Sequence, residues 1–521
     1  MNPPLISDDA VDRTVDHDRT YWRATAEERS DPPLLGDRDA DVVVVGGGIV
    51  GLSVAILAAE AGLGVVVLEA RQLASGTTGG TTGKVTSQNG TRLRELRRRF
   101  GADGARRYAH LTEGGIARLD ELVDRYGIAC DLEKVPAHLV SLTSRRDRGV
   151  EEEAAASREA GLTVTTDAEL PEVGFSVRRS LTVADQRQVH AVKLVHGLAD
   201  AVAANGGAVH ADSRVVDVAG ADGGRRWRVG TTRGSVTADH VVLATRLPTH
   251  RDTRLTFART KPVSAIGVAG PVDDAAPAGM YLFKGRRDWS IRGSRLGGGG
   301  GEHLVAVGMS AATGDLPALR QRGDRLADWT RARWPLAEVT HVWMAQDQQA
   351  ADERPLIGRL WADGLWTATG FGKWGLAAGL GAADLLLAGI TSRDDPSDGF
   401  FAASRLDPPA AWPTLLRANL RVSALLVGDH LRAGLRHDLE DLVAGDGRVV
   451  RRGRHLVAVS RRDDGGLDAV SAHCTHLGCL VRWNRQEATW DCGCHGSRFA
   501  SDGAVLEAPA TSPLRRVDLD D

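Results

Sequence analysis

Four consecutive valines, Val42-Val43-Val44-Val45, form an unbroken apolar run of the kind found in a strand buried on both faces. The run passes into Gly46-Gly47-Gly48 and then into an alanine-rich stretch over 55–61, which predicts a helix. A second strand is predicted at 65–68, ending at Glu69. Strand, glycine turn, helix and strand make a βαβ unit, so the chain opens with an α/β domain. An arginine-rich helical pattern covers 92–126 and is read as a solvated face. A surface helix over 151–160 and a short strand at 162–165 follow. After Gln188-Val189-His190 come a helix over 194–204 and strands at 208–210, 215–218, 227–229, 235–237 and 241–245. Between 254 and 345 short strands alternate with loops (263–268, 280–283, 289–291, 304–307), which predicts an antiparallel sheet. A strand at 365–368 then leads through a glycine-rich turn into a helix reaching about residue 390.

Two segments fall outside these periods. Residues 1–36 are polar, with Tyr21-Trp22 as the aromatic anchor of an N-terminal arm. Residues 393–436 carry the breakers Asp395-Pro396 and Pro408-Pro409, then a leucine-bearing helical pattern over 414–435, which suits a tether with a docking helix. The five glycines at 297–301 lack the Lys-Ser/Thr of a phosphate loop and are read as a hairpin tip.

Length and charge narrow the possibilities. A chain of 521 residues suggests two or three domains, and 42% hydrophobic residues are enough to fill their cores. A formal charge of −3 gives no electrostatic case for a nucleic-acid partner. The N-terminus has neither a basic nor an apolar leader pattern, and the apolar run near 375–390 is glycine-interrupted. The expectation is a cytoplasmic protein with no integral membrane segment. Four of the five cysteines fall in two boxes near the C-terminus, and Cys130 is read as a buried structural thiol.

Gly46, Gly48 and Gly51 occupy the three positions of a dinucleotide fingerprint: tight turn, close approach to a pyrophosphate, and helix–strand packing. Glu69 lies where a carboxylate can accept from ribose hydroxyls. The loop Ser75–Thr86 brings small hydroxyl residues and glycines directly after this unit. Farther on, Thr369-Gly370-Phe371-Gly372-Lys373-Trp374-Gly375-Leu376 opens a helix whose free N–H groups favour negative charge. Near the C-terminus stand Cys474-Thr475-His476-Leu477-Gly478-Cys479 and Cys492-Gly493-Cys494-His495-Gly496-Ser497. Cys474, His476, Cys492 and His495 offer two thiolates and two imidazoles. That set suits a [2Fe–2S] cluster with histidines on one iron, and it also suits a Cys/His zinc site.

The glycine motif, Glu69, the Ser75–Thr86 loop, Ala244-Thr245 and the 370–376 turn together resemble the D-amino-acid-oxidase-like family of FAD enzymes, which includes glycine oxidase and sarcosine oxidase. From about Tyr21 to the C-terminus, the chain resembles the bacterial subgroup in which a Rieske domain follows the flavoprotein. The implied fold is an α/β FAD-binding Rossmann-like domain with an antiparallel-sheet substrate domain, plus a C-terminal all-β Rieske domain. The expected divisions are an arm at 1–37, the oxidoreductase at 38–392, a linker at 393–436 and the Rieske domain at 437–521. Nucleotide-binding parts are expected at about 38–90, 186–246 and 350–392.

The resemblance implies non-covalent FAD, with pyrophosphate at Gly46, Gly48 and Gly51, ribose at Glu69 and adenine beside Val215. The flavin would lie between Thr81-Thr82 and the Gly370, Gly372, Gly375, Leu376 turn, near Thr245. Lys373 is a candidate for the flavin's electronegative edge, with a surface lysine as the alternative. On the Rieske side it implies a [2Fe–2S] cluster on the four ligands, a Cys479–Cys494 disulfide and a cluster-covering loop at Ala508-Pro509-Ala510. Ser497 matches a serine that donates to a bridging sulfide. Gly493 replaces a proline, and Phe499 stands where respiratory relatives have a tyrosine that bonds a ligand sulfur; losing that donor is expected to lower the potential.

The resulting expectation is an FAD-dependent oxidoreductase that oxidises a C–N bond of a small amine or amino acid. Electrons would pass between flavin and cluster, to or from an external donor or acceptor. An NAD(P)H-driven reductase is the second enzyme reading, and it would normally need a nucleotide fingerprint beyond the one at 46–51. A redox carrier or sensor without turnover is the third. No catalytic base is identifiable; His190, Arg246, His250 and Arg354 are candidates that also suit structural roles.

Overall fold

The valine run forms a strand, Arg38–Val45, at the centre of an eight-stranded sheet in the computed structural model of this chain. Residues 20–519 are described, except 168–169, 171–172, 174, 222, 224–225, 249–255, 274–275, 285–287, 296–300, 313–315, 335, 337, 393–398, 406–438, 440 and 486. His250, most of the glycine run at 297–301 and the helical pattern at 414–435 therefore lie outside the described residues.

Arg38–Val45 pairs in parallel with Val65–Leu68 on one side and with Ser235–Leu243 on the other. Leu365–Thr369 and Ala208–His210 extend the parallel set outward. The hairpin Val215–Ala221 with Arg226–Thr231 adds antiparallel strands on Ser235–Leu243. The helix Ile49–Glu60 packs on this sheet with every residue but Glu60 buried. Gly51 makes that packing possible, because a Cβ there would stand 1.9 Å from the Gly46 carbonyl oxygen.

The second sheet has nine strands, and its partners include His341–Ala350, Thr260–Pro271, Glu302–Ala312 and Trp289–Arg295. It is antiparallel at all but one pairing. The strands within 260–350 pair antiparallel as expected, and Met280–Lys284 joins them to Glu133–Ser141 by a parallel pairing. The short strand Lys84–Val85 also belongs to this sheet, so the loop after Glu69 joins the two layers.

The helix Arg92–Tyr126 turns at Gly101, whose φ is 72°. It crosses the helix Gly375–Ser392 at close range: a Cβ on Gly381 would lie 2.1 Å from the Leu111 carbonyl oxygen. Gly375–Ser392 is long and apolar enough to span a bilayer, but 61% of that window is buried inside the protein. The predicted surface helix begins earlier, as Ser144–Glu159, and buries Glu153 against the start of Arg92–Tyr126.

The N-terminal arm is held by its aromatic pair, both side chains being fully buried. The Trp22 indole donates to the Thr81 carbonyl oxygen at 2.6 Å, and the Tyr21 hydroxyl meets the Ser294 hydroxyl at 3.3 Å. Such burial stabilises by about 2–3 kcal/mol per ring. Following the last helix, 399–405 is anchored by Arg405, which with Arg354 surrounds the buried Asp352 carboxylate at 2.7–3.2 Å. Two small antiparallel sheets, Gly447–Arg452 to Leu467–Ser471 and Val481–Asn484 to Val505–Glu507, form the C-terminal domain around their own core.

Candidate functional site

A cavity of about 1110 Å³ opens at the C-terminal ends of the central parallel strands, where α/β sheets place their ligands. Gly46 and Gly48 line it, while Gly51 lies behind them in the helix packing. Gly46 has φ 116°, and a Cβ there would meet the Ala244 carbonyl oxygen at 2.6 Å, so this turn admits only glycine. The Glu69 carboxylate accepts from the Gly47 and Arg71 amides at 2.8 and 3.0 Å and faces the cavity. Thr81, Thr82, Val215, Thr245, Gly372, Lys373, Gly375 and Leu376 line the same space. Gly370 is set back against Ala350.

The far wall comes from the second sheet, through Val263, Leu282, Lys284, Trp289, Ser290 and Asp347. Lys284 pairs with Asp288, also on the wall. Asp347 accepts from the Lys373 amide at 2.6 Å, and burial raises its pKa. Lys373 lines the cavity and remains solvent-accessible there, and partial desolvation holds its ammonium below the usual lysine range. Lys84 is buried just beyond, donating to the Ser290 hydroxyl, and desolvation pushes its pKa well down.

The candidate bases separate clearly. His190 caps the helix Ala191–Ala204, its ring accepting from the Lys193 amide at 3.3 Å, and burial lowers its pKa to about 3. Arg354 is committed to Asp352. Arg246 lines the cavity, and its Nη1 is a buried donor with no hydrogen-bond partner among the described residues. An orphaned guanidinium nitrogen and a glycine cradle both fit an anionic dinucleotide. Cys130 is buried, with its thiol pushed up to about 12 by desolvation.

In the C-terminal domain Cys474 and Cys492 are free, buried thiols, while Cys479 and Cys494 are joined as a disulfide. The sulfurs of Cys479, Cys492 and Cys494 lie within 4.8 Å of one another. Two of them are spent in the disulfide, which leaves Cys474 and Cys492 as the free thiols of the domain. These two share a hydrogen bond that draws the Cys474 pKa down and drives that of Cys492 up. The His476 and His495 rings sit 5.0 Å apart, both held below the usual histidine range by burial. Neutral imidazole is the ligating form, and His495 Nδ1 is buried without a hydrogen-bond partner among the described residues. Two thiols, two neutral imidazoles and an orphaned ring nitrogen fit a cluster of Rieske type. The Ser497 hydroxyl accepts from the Ala510 amide at 3.0 Å and bonds the Cys474 sulfur. Phe499 is fully buried in the same core.

The two sites meet. Phe257 packs edge-on against both cluster-site imidazoles, at 4.8 Å from His476 and 4.9 Å from His495. The Gln346 amide donates to the Gly496 carbonyl oxygen at 2.8 Å, and Gly496 has φ 85° with no room for a Cβ beside Gln346. Arg246 pairs with Glu507 at 2.8 Å, and Leu506, Glu507, Ala508, Ala510 and Thr511 line the large cavity. Phe257, Gln346, Glu507 and the wall residues Lys284, Ser290 and Asp347 carry no local motif; spatial convergence alone identifies them.

A nucleotide cradle beside a two-thiol, two-imidazole pocket defines a flavoprotein joined to an iron–sulfur domain. The FAD dependent oxidoreductase family model matches residues 41–388, and the Rieske [2Fe-2S] domain model matches 435–518. The chain belongs to the FAD-dependent oxidoreductase family, binds FAD and carries a C-terminal Rieske domain that binds a [2Fe–2S] cluster. It is 29% identical over 506 residues to the Bacillus subtilis (strain 168) protein called Rieske 2Fe-2S iron-sulfur protein YhfW, covering 96% of this chain and 98% of that one. A shorter match, 30% over 243 residues, links it to gamma-glutamylputrescine oxidoreductase of Escherichia coli (strain K12), over 44% of this chain and 54% of the relative. Among solved structures, glycine oxidase from Geobacillus kaustophilus superposes with a TM-score of 0.58 at 19% identity, over 71% of this chain and 100% of that one.

Proposed function

We propose that the enzyme oxidises a C–N bond of a small amine or amino acid and sends the electrons, one at a time, through its cluster to an external acceptor. The observation that carries this reading is the shared cavity: Leu506, Glu507, Ala508, Ala510 and Thr511 of the Rieske domain line the space that begins at Gly46 and Glu69. The names of the relatives, an amine oxidoreductase and a glycine oxidase, support the substrate class. FAD, when bound, supplies acceptance of a hydride and release of single electrons. The chain's own residues hold and orient. Gly46 and Gly48 receive the pyrophosphate, Gly51 packs the helix beneath it, Glu69 accepts from ribose, and Val215 borders adenine. Thr81, Thr82, Thr245 and the 370–376 turn frame the ring system, with the Lys373 ammonium at its electronegative edge. Lys284, Asp288 and Asp347 give the far wall both charge signs, which suits a zwitterionic or cationic substrate. Cys474, His476, Cys492 and His495 ligate the cluster. An NAD(P)H-driven reductase is the reading to test against. Anaerobic mixing with a panel of amines and amino acids should bleach the flavin absorbance and raise the signal of reduced cluster. Bleaching by NAD(P)H alone would overturn the assignment.

A further inference from the structure

One loop serves both cofactor sites. On its inner side the Ala510 amide donates to the Ser497 hydroxyl, which bonds the Cys474 sulfur. On its outer side Glu507, Ala508 and Ala510 line the FAD cavity. The loop is thus packed between the two groups, and any shift in its position is felt at both.

Arg246 ties this loop to the flavoprotein. It follows the strand Ser235–Leu243 in a left-handed conformation, φ 65°, which a non-glycine residue adopts only when its surroundings hold it there. The Thr369 hydroxyl donates to its carbonyl oxygen and fixes that turn. Its Nη2 then reaches the Glu507 carboxylate at 2.8 Å and the Ala508 carbonyl oxygen at 3.3 Å. Its Nη1 is the buried donor without a partner among the described residues, on a residue that lines the cavity. Glu507 is braced from behind by Arg498 at 3.3 Å, so the carboxylate is a fixed anchor. A guanidinium is a rigid planar fork able to hold two acceptors at once. One branch is committed to the cluster domain, and the other is the unpartnered donor of a residue that lines a space able to take an anionic dinucleotide.

We propose that Arg246 clamps FAD and the cluster domain together, one branch of its guanidinium on Glu507 and Ala508 and the other on an oxygen of FAD, making loop 506–511 part of the FAD site. FAD retention and seating of the cluster domain are then coupled, and the coupling is reciprocal: each group strengthens the hold on the other. The inference concerns binding in the resting protein and stands whatever the substrate.

The test uses the full-length holoprotein and three variants: Glu507→Gln, Arg246→Met and the double substitution. Free-flavin fluorescence on dilution gives the FAD dissociation constant. The paramagnetic-resonance signal of the dithionite-reduced protein, with iron content, reports whether the cluster is loaded. Each single substitution should weaken FAD binding by roughly tenfold or more, the scale of one charged hydrogen bond. The double variant should be no weaker than Arg246→Met, because Glu507 acts through that guanidinium. Stripping FAD from the wild type should broaden or shift the cluster signal, and adding FAD back should restore it. The same treatment should leave the Arg246→Met signal unmoved. Where Glu507→Gln loses its cluster through the broken Arg498 contact, the Arg246→Met spectra decide alone. FAD affinity within twofold of wild type in cluster-loaded Arg246→Met, or fully independent effects in the double variant, would overturn the clamp. Neither result bears on which donor reduces the flavin, so failure here is distinguishable from failure of the amine-oxidation reading.

Discussion

Replacing Ser497 with alanine removes one hydroxyl at the point where Cys474, proposed above as a cluster ligand, meets the segment at Ala510. The side chain is fully buried, so no solvent hydrogen bond replaces the one lost. A hydrogen bond to a charged acceptor is worth about 1.5–3 kcal/mol. Reduction adds negative charge around the sulfurs, so the donor favours the reduced form. For one electron a tenfold change in equilibrium, about 1.4 kcal/mol, corresponds to about 59 mV. The full donor energy therefore bounds the fall in midpoint potential at roughly 60–130 mV. The substitution also leaves the Ala510 amide without its acceptor at 3.0 Å, a further cost of about 1–3 kcal/mol to the seating of the loop. A titration of purified holoprotein followed by paramagnetic resonance measures the first effect, and thermal unfolding measures the second. A midpoint unchanged to within about 20 mV, with the cluster fully loaded, would refute the placement of this hydroxyl on cluster sulfur.

Phe499→Tyr restores a hydroxyl at a buried position of the cluster core, and the same titration should show a rise of tens of millivolts, on the order of half the serine effect. Asp352→Ala leaves Arg354 and Arg405 buried without their carboxylate, costing about 3–5 kcal/mol. Spread over a flavoprotein domain of about 350 residues, that lowers the melting temperature by roughly 5 °C, readable by calorimetry. Glu153 has its carboxyl raised from 4.5 to about 7, chiefly by burial. The folded protein then binds the proton more tightly than the unfolded chain, and stability falls as pH rises from 4.5 to 7. Glu153→Gln should therefore be more stable than wild type at pH 8, by about 3 kcal/mol at most, and no more stable at pH 4; denaturant unfolding at the two pH values checks the sign.

What could be read in advance followed the distance along the chain between cooperating groups. Cys474 and His476 are two residues apart, and Gly46 and Gly51 are five, so periodicity and spacing were enough for them. The wall between the sites has no such economy: Gln346 meets Gly496 across 150 residues, and Arg246 meets Ala508 across 262. Phe257 stands alone between segments without a period, and nothing local distinguishes it from a core aromatic. Glu153 lies in a sequence as polar as any surface helix, and only the start of Arg92–Tyr126, whose Leu93 and Arg94 amides it accepts from, explains its burial. Lys373 was ambiguous for a related reason, since a lysine lining an internal cavity has the same flanking pattern as one facing bulk water. The parallel pairing of Met280–Lys284 with Glu133–Ser141 depends on how strands cross between layers, which strand patterns do not encode.

The N-terminal staple sets an order in time. Trp22 fastens the carbonyl of Thr81, while its neighbour Tyr21 reaches Ser294, 273 residues later in the chain. At roughly 5–20 residues per second, synthesis separates those two partners by about 14–55 s. Thr20 on the Gly79 carbonyl oxygen and Thr25 on His190 have their partners earlier, so among these ties the Tyr21–Ser294 hydrogen bond is the last to become available. The cavity lining itself runs from Val45 to Thr511, so a nascent chain completes that space only near the end of synthesis.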